Sequence, residues 1–271
     1  MDRERWRVRE VTGSARVATR QGAALPRGLA ASLPLTAALP LAAALLLAAA
    51  PLLAAAPAAA DVQQDVGGWI NVVSTGDFGE VSPKLTRLKY WFDSQIRLYE
   101  DTDGFSQSLV RPALGWGIFD SGALWVGYNW IHTRPPTGPS FEEHQVWEQF
   151  TWSEPSGSFT RLWRTRFEQR FSEKGDDVGL RLRQLFRATI PIRKGSRFSI
   201  AGWDEVFFHL RDTDWGLNAG FDQNRFFIGM AWSYAPSFGG TVELGYMNQY
   251  IETFAGRNQL NHLVSVTFGF N

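Results

Sequence analysis

The residues best placed to do chemistry are arginines and glutamates at alternate positions. Arg164, Arg166, Glu168 and Arg170 lie two residues apart, and so do Arg181 and Arg183, with Arg187 in the same phase. Glu205, Arg225 and Glu243 follow in later segments. A spacing of two puts side chains on one face of a β-strand. If the strands close on themselves, all ten side chains share one narrow lumen. A lumen ringed by arginine favours anions and would form an anion-selective path. The alternative is a salt-bridge network that fills the lumen and holds it shut, because buried charges need partners whatever else they do. Barrels of about eight strands have interiors just filled by side chains, so the structural reading takes precedence.

Catalytic signals are thin. The four histidines, His132, His144, His209 and His262, have no metal-ligand or triad spacing among them. His144 follows Glu142 and Glu143 and could form a Glu–His pair for acid–base work, with Ser140 as a nearby hydroxyl. No Gly-x-Ser-x-Gly nucleophile turn accompanies them, and a loop histidine is more often simply solvated. The aspartates at 101 and 103, and at 212 and 214, lack the spacing of a calcium loop and read as turns. With no cysteine, thiolate metal sites and cysteine nucleophiles are excluded. No cofactor or metal is expected.

The elements that must position the charged faces are strands. In 90–98, Tyr90, Phe92, Ser94, Ile96 and Leu98 alternate with Trp91, Asp93, Gln95 and Arg97. In 180–190, Leu180, Leu182, Phe186, Ala188 and Ile190 alternate with Arg181, Arg183, Arg187 and Thr189. The segments 124–130, 242–250 and 262–270 alternate in the same way, and Gly-, Pro-, Asp- and Ser-rich clusters such as 101–104, 120–122, 174–177 and 236–240 separate such runs. Ten strands are read from Tyr90 onward, centred near residues 94, 112, 126, 147, 165, 185, 203, 227, 246 and 265. The segment Gly67–Ser74 looks like an eleventh, either pairing with an unrecognised twelfth or staying periplasmic or inside the lumen. No apolar run after Asp61 approaches the roughly 20 residues of a membrane helix.

Which face meets water follows from composition. Only four lysines are present, Lys84, Lys89, Lys174 and Lys194, where a soluble surface mixes Lys and Glu freely. Trp130, Trp152 and Trp232 flank turns, where membrane barrels place aromatic girdles. The last strand ends with Phe268 and Phe270, resembling the terminal signal read by the outer-membrane assembly machinery, although Asn271 follows where an aromatic usually finishes it. The apolar faces are therefore expected to meet lipid. Counting back from a last strand that runs into the periplasm puts turns 119–122, 153–158, 191–196 and 236–239 on that side. The longer loops 132–142, 211–219 and 252–259 then fall outside.

Residues 1–60 read as an address. Seven arginines against Asp2, Glu4 and Glu10 precede an Ala/Leu stretch broken by Pro34, Pro40, Pro51 and Pro57, which ends in Ala58-Ala59-Ala60. This is the pattern of a secretory signal peptide with cleavage after Ala60, and four prolines would break a spanning helix. The leader is unusually long, as it would be with a start placed upstream of the true one. The remaining chain, 61–271, is read as one barrel domain. It has more acidic than basic residues and no basic run, which argues against nucleic acid as a partner.

Five blocks in order resemble a known bacterial family: 111–116 (RPALGW), 124–129 (LWVGYN), 164–171 (RTRFEQRF), 221–225 (FDQNR) and 245–249 (GYMNQ). The family is domain of unknown function 2490, and the resemblance runs from about Asp65 to the C-terminus. It implies an outer-membrane barrel and brings no activity with it. The expected fold is an all-β, transmembrane antiparallel up-and-down β-barrel of about 10–12 strands. The expected setting is the outer membrane of a Gram-negative bacterium, with membrane lipids and the barrel assembly machinery as partners. A structural or narrow-pore role without catalysis comes first. A barrel enzyme acting on lipid or lipopolysaccharide at the outer rim, and a secreted soluble barrel binding an apolar ligand, are the alternatives.

Overall fold

The computed structural model describes residues 62–156, 159–236, 239–253 and 258–271; the expected leader, with its cleavage point after Ala60, lies outside them. Eleven strands follow one another: β1 (Gln63–Asp77), β2 (Leu88–Tyr99), β3 (Gly104–Phe119), β4 (Gly122–Thr133), β5 (Phe141–Ser156), β6 (Phe159–Ser172), β7 (Gly179–Pro191), β8 (Phe198–His209), β9 (Gly220–Ala235), β10 (Gly240–Ile251) and β11 (Gln259–Phe270). Each pairs with its sequence neighbours, and β1 pairs with β11 to close the barrel. The ten strand centres expected from alternation fall one in each of β2–β11. All neighbouring pairs are antiparallel except the seam, where β1 runs parallel to β11 with Trp69 opposite Ser265 and Val72 opposite Phe268. The seam is parallel because an odd number of up-and-down strands brings the first and last together running the same way. The segment Gly67–Ser74 is thus neither half of a twelfth-strand pair nor a plug. It is the middle of the strand that completes the wall.

The parallel seam also sets the ends of the barrel. The C-terminus of β11 lies at the end carrying connections 78–87, 120–121, 157–158, 192–197 and 236–239, and β1 begins at the opposite end, among connections 100–103, 134–140, 173–178, 210–219 and 252–258. At the first end the chain reverses within two residues between β3 and β4, and 78–87 is the exception to its short turns. Loops 173–178 and 210–219 at the other end are clasped together. The Asp214 carboxylate accepts the backbone N–H groups of Asp176 (2.9 Å) and Asp177 (3.1 Å), and the Trp215 indole donates to the Asp177 carbonyl at 2.8 Å. Those amides hold the Asp214 carboxyl below its usual range.

The outer face of the wall is apolar. Leu114, Val126, Leu244 and Val264 are each more than half exposed, and Phe268 and Phe270 on β11 also point outward. Aromatics crowd both ends of this belt, with Trp116, Trp152, Trp163 and Trp232 near the short turns and Trp130, Phe171, Phe208 and Tyr250 near the loops. Part of the outer face of β5–β9 is polar, and those groups satisfy one another. Gln169 donates to Glu148 at 3.0 Å, Thr165 to Gln184 at 2.7 Å, and Asn224 to both Asp204 oxygens at 3.1 Å.

Candidate functional site

Period-two geometry turns the polar face of every strand inward, and the sequence-predicted arginines and glutamates meet in one buried network. At its centre Glu168, with no exposed surface, receives three arginines. Oε2 accepts from Arg181 Nε at 2.7 Å, Oε1 accepts from Arg183 Nη1 at 2.7 Å, and Arg166 Nη1 lies 3.8 Å away. Glu205 Oε1 is held by Arg183 Nη2 and Arg164 Nη2, both at 2.8 Å. Arg187 is paired with Glu243. Arg170 grips Glu143 through two hydrogen bonds of 2.7 and 2.8 Å. The exception among the predicted residues is Arg225, which makes no ion pair with any described carboxylate; its Nε donates to Gln223 Oε1 at 3.0 Å.

The network is embedded in aromatic side chains, and these close the lumen. Of the strand tryptophans, Trp69, Trp91, Trp125, Trp147 and Trp203 face inward. Trp147 is fully buried, with the Arg166 guanidinium 4.0 Å above its ring. Phe207 lies beneath Arg183 and Arg225, each 4.5 Å from its centroid. Trp69, Ala201, Phe227, Met247 and Leu263 form one buried apolar cluster, and Ala113, Ala123, Trp125 and Trp147 another. Large rings fit because glycines on facing strands leave room. A Cβ on Gly127 would stand 2.2 Å from the Trp147 ring, and one on Gly115 would stand 2.4 Å from Trp125. Trp147, Arg166, Glu168, Arg183 and Phe207 have essentially no solvent access across the middle of the barrel, whereas Arg187, Trp91 and Trp203 are only partly buried.

Above this floor, at the end carrying the longer loops, the lumen opens as a cup of about 280 Å³. Arg97, Tyr99, Arg111, Glu143, Gln145, Gln223, Arg225, Gln249 and Asn261 are among its lining residues. Its wall is cross-braced. The Trp69 indole donates to the Tyr99 hydroxyl at 3.2 Å, Tyr99 donates to Gln249 Oε1 at 2.8 Å, and Gln249 Nε2 donates to Gln223 Oε1 at 2.7 Å. Besides the ten predicted residues, Asp93, Arg97, Arg111, Glu143 and Asp222 belong to the inner charge set. Asp93 pairs with Arg111 at 2.7 Å, and Asp222 with Arg181 at 3.3 Å. The signal was present for Asp93 and Arg97, which share the polar phase of their strand.

The histidines do not converge. His144 faces outward and meets the Tyr128 hydroxyl rather than Glu142 or Glu143. Glu142 instead lies 3.8 Å from His132, and its Oε2 accepts from the Trp130 indole at 2.9 Å. Glu143 points into the lumen, because neighbouring residues on a strand face opposite ways. His262 meets the Tyr246 hydroxyl at 2.7 Å, and His209 lies inside, 3.4 Å from Asp222. Among the described residues, no three His, Asp or Glu side chains gather as metal ligands would.

Fold and lumen together define an eleven-stranded closed β-barrel whose interior is occupied by its own side chains. Residues 66–261 match the family described as protein of unknown function (DUF2490), and the chain belongs to that family. It is 37% identical over 211 residues to an uncharacterized protein of Methylorubrum extorquens, covering 77% of this chain and 89% of that protein. No solved structure matches it.

Proposed function

We propose that the protein is a passive outer-membrane barrel, exported by its leader, with a lumen held shut by its own charge network. It serves as a structural or receptor element of the membrane, performs no catalysis, and conducts nothing. The closed middle of the barrel carries this reading: Trp147, Arg166, Glu168, Phe207, Phe227, Met247 and Leu263 have at most 1% exposure. A conducting path needs a continuous file of water, and these residues leave no surface for one. The membrane setting is supported by the outward apolar belt with aromatics at both ends, the sparse lysines and the signal-like leader. Outer-membrane lipids are then the partner of that belt. The assembly machinery is the partner of β11, whose outward Phe268 and Phe270 it would read.

The reading predicts that the barrel co-sediments with outer membranes and migrates differently on a detergent gel before and after boiling. Reconstituted in a planar bilayer at two salt concentrations, it should be electrically silent. Stable conductance steps with anion preference would replace the closed barrel with a narrow anion pore, and recovery in the soluble periplasmic fraction would end the membrane reading.

A further inference from the structure

The inner charge set does not balance, and the imbalance falls at the cup. Every inward carboxylate below the mouth is taken. Asp93 is held by Arg111, Glu143 by Arg170, Glu168 by Arg181 and Arg183, Glu205 by Arg164 and Arg183, Asp222 by Arg181, and Glu243 by Arg187. Two arginines lining the cup are left over. Arg97 reaches only the side-chain oxygens of Gln107 and Gln95, and Arg225 only that of Gln223. Glu205 stands directly across from Arg225 in the strand register, yet it is drawn to Arg164 and Arg183. Both leftover cations lie against the same indole, with guanidinium carbons 3.9 Å (Arg97) and 4.8 Å (Arg225) from the Trp69 ring centroid. Arg225 is 7% exposed, and its two Nη groups have no hydrogen bond among the described residues.

Two like charges held against one indole, with neither guanidinium ion-paired to a described carboxylate, are costly, and an anion between them removes that cost. Guanidinium forks match the oxygens of phosphate and carboxylate groups, and the neighbouring Tyr99, Gln249 and Asn261 supply polar atoms for the rest of a small solute. We propose that the cup is a binding site for a small solute bearing a phosphate or carboxylate group, whose anionic end lies between Arg97 and Arg225 beside Trp69. Asp65 and Asp101 stand at the mouth and Glu143 on the wall. Glu143 is already neutralised by Arg170, whereas Asp65 and Asp101 keep their charge at the mouth, so the unpaired positive charge lies deeper than the unpaired negative charge, against Trp69. The site rests on the closed floor of the proposed function, since an open lumen would let the anion pass instead of holding it.

The test titrates the refolded full barrel in detergent with inorganic phosphate and with succinate, against chloride at matched ionic strength, by calorimetry and by thermal midpoint. Saturable binding of one oxyanion per barrel is expected, with a midpoint rise that chloride does not reproduce. Preference for one probe tells phosphate from carboxylate. Arg225→Gln and Arg97→Gln should each weaken binding at least tenfold, whereas Arg211→Gln on an exposed loop should bind as the parent does. Without oxyanion, Arg225→Gln should melt no lower than the parent, because a repulsion has been relieved. A response to phosphate and succinate no different from chloride, or parent-like binding by a folded Arg225→Gln, overturns the proposal. The parent titration decides it even if neither variant folds. Bilayer conductance would sink the closed-lumen reading and the holding site with it, whereas a silent bilayer without oxyanion binding would sink the site alone.

Discussion

Glu168 and Arg183 lie on strands β6 and β7, and Glu168 Oε1 accepts a 2.7 Å hydrogen bond from Arg183 Nη1 where Glu168 has no contact with solvent. Arg183 reaches past it to Glu205 on β8, so two carboxylates and one guanidinium tie three strands together across the floor of the cup. Breaking a buried pair from one side strands the other charge, at a cost of about 3–5 kcal/mol. Glu168→Gln leaves Arg181 and Arg183 short of a counter-charge and should lower the urea midpoint of the refolded barrel by that order. If it unfolds like the parent, water enters the network and the lumen is not closed.

Arg166 offers the opposite expectation. It is fully buried, but Nη1 and Nη2 make no hydrogen bond; its Nε donates to Gln149 at 2.7 Å and its plane lies over Trp147. Removing a poorly satisfied buried charge relieves its desolvation cost, and Glu168 keeps Arg181 and Arg183 as counter-charges. Arg166→Met should therefore leave the unfolding midpoint unchanged or raised, while Arg183→Met lowers it. Equal loss in both variants would mean that Arg166 has partners, water among them, beyond those described.

Trp147 tests the packing itself. Gly127 faces it across the β4–β5 pair, and a methyl there would stand 2.2 Å from the indole. Overpacking a filled interior costs about 1–3 kcal/mol, so Gly127→Ala should destabilise the barrel by that amount and change its tryptophan emission. Unchanged stability would show that Trp147 can swing aside, and that the floor is not rigid.

Alternation legibly placed β2–β11, and both faces of β2, β4, β7, β10 and β11, because a period of two is imposed on each strand separately by its own surroundings. The parallel seam has no such local mark. Gly67 and Gly68 interrupt the alternation of β1, and its place in the wall follows only from the number of strands that must close. Of the inward tryptophans only Trp91 is placed by its phase, beside Asp93 and Arg97; the others were missed for a related reason. Sorting by hydropathy sends an indole outward, whereas Trp125 shares the phase of Gly127 and Asn129. Phase beside a glycine or a charge was the usable signal. The arginines of the network could be named from sequence, but their partners could not. Which carboxylate an arginine reaches depends on strand register and on reach across the lumen, and that is why Arg97 and Arg225 stood out only once every other pair was placed.

Acid should open the loop clasp before it opens the barrel. The Asp214 carboxyl is held below its ordinary value by the amides of Asp176 and Asp177, so its protons bind more weakly in the folded than in the unfolded chain. For a lowered carboxyl, the stabilisation is fully present above the unfolded value of 3.8 and fades as pH falls through the lower folded value. Hydrogen exchange of the Asp176 and Asp177 amides, corrected for the intrinsic rate, should lose protection below pH 3.8, and Asp214→Asn should lose part of it at neutral pH. Protection independent of pH down to pH 2 would assign the clasp to the Trp215 hydrogen bond instead.

The outer face supplies the sharpest test of the solvent around the barrel. Gln169 Nε2 donates to Glu148 Oε2 at 3.0 Å within the polar part of the outer face of β5–β9. In hydrocarbon, no water replaces a lost partner, and a polar group without one costs several kcal/mol. Gln169→Leu alone removes the amide and leaves the carboxyl facing lipid, so it should destabilise the barrel in bilayers by about 1–3 kcal/mol. The double variant Glu148→Leu with Gln169→Leu removes both groups and should recover that loss or exceed the parent. In water no such recovery is expected, because an exposed single loss costs about 0.5 kcal/mol or less and leaves nothing for the second substitution to restore. Refolding the three proteins into lipid vesicles and comparing their urea midpoints decides between the two settings, and recovery by the double variant is the result that only a lipid-facing β5–β6 wall produces.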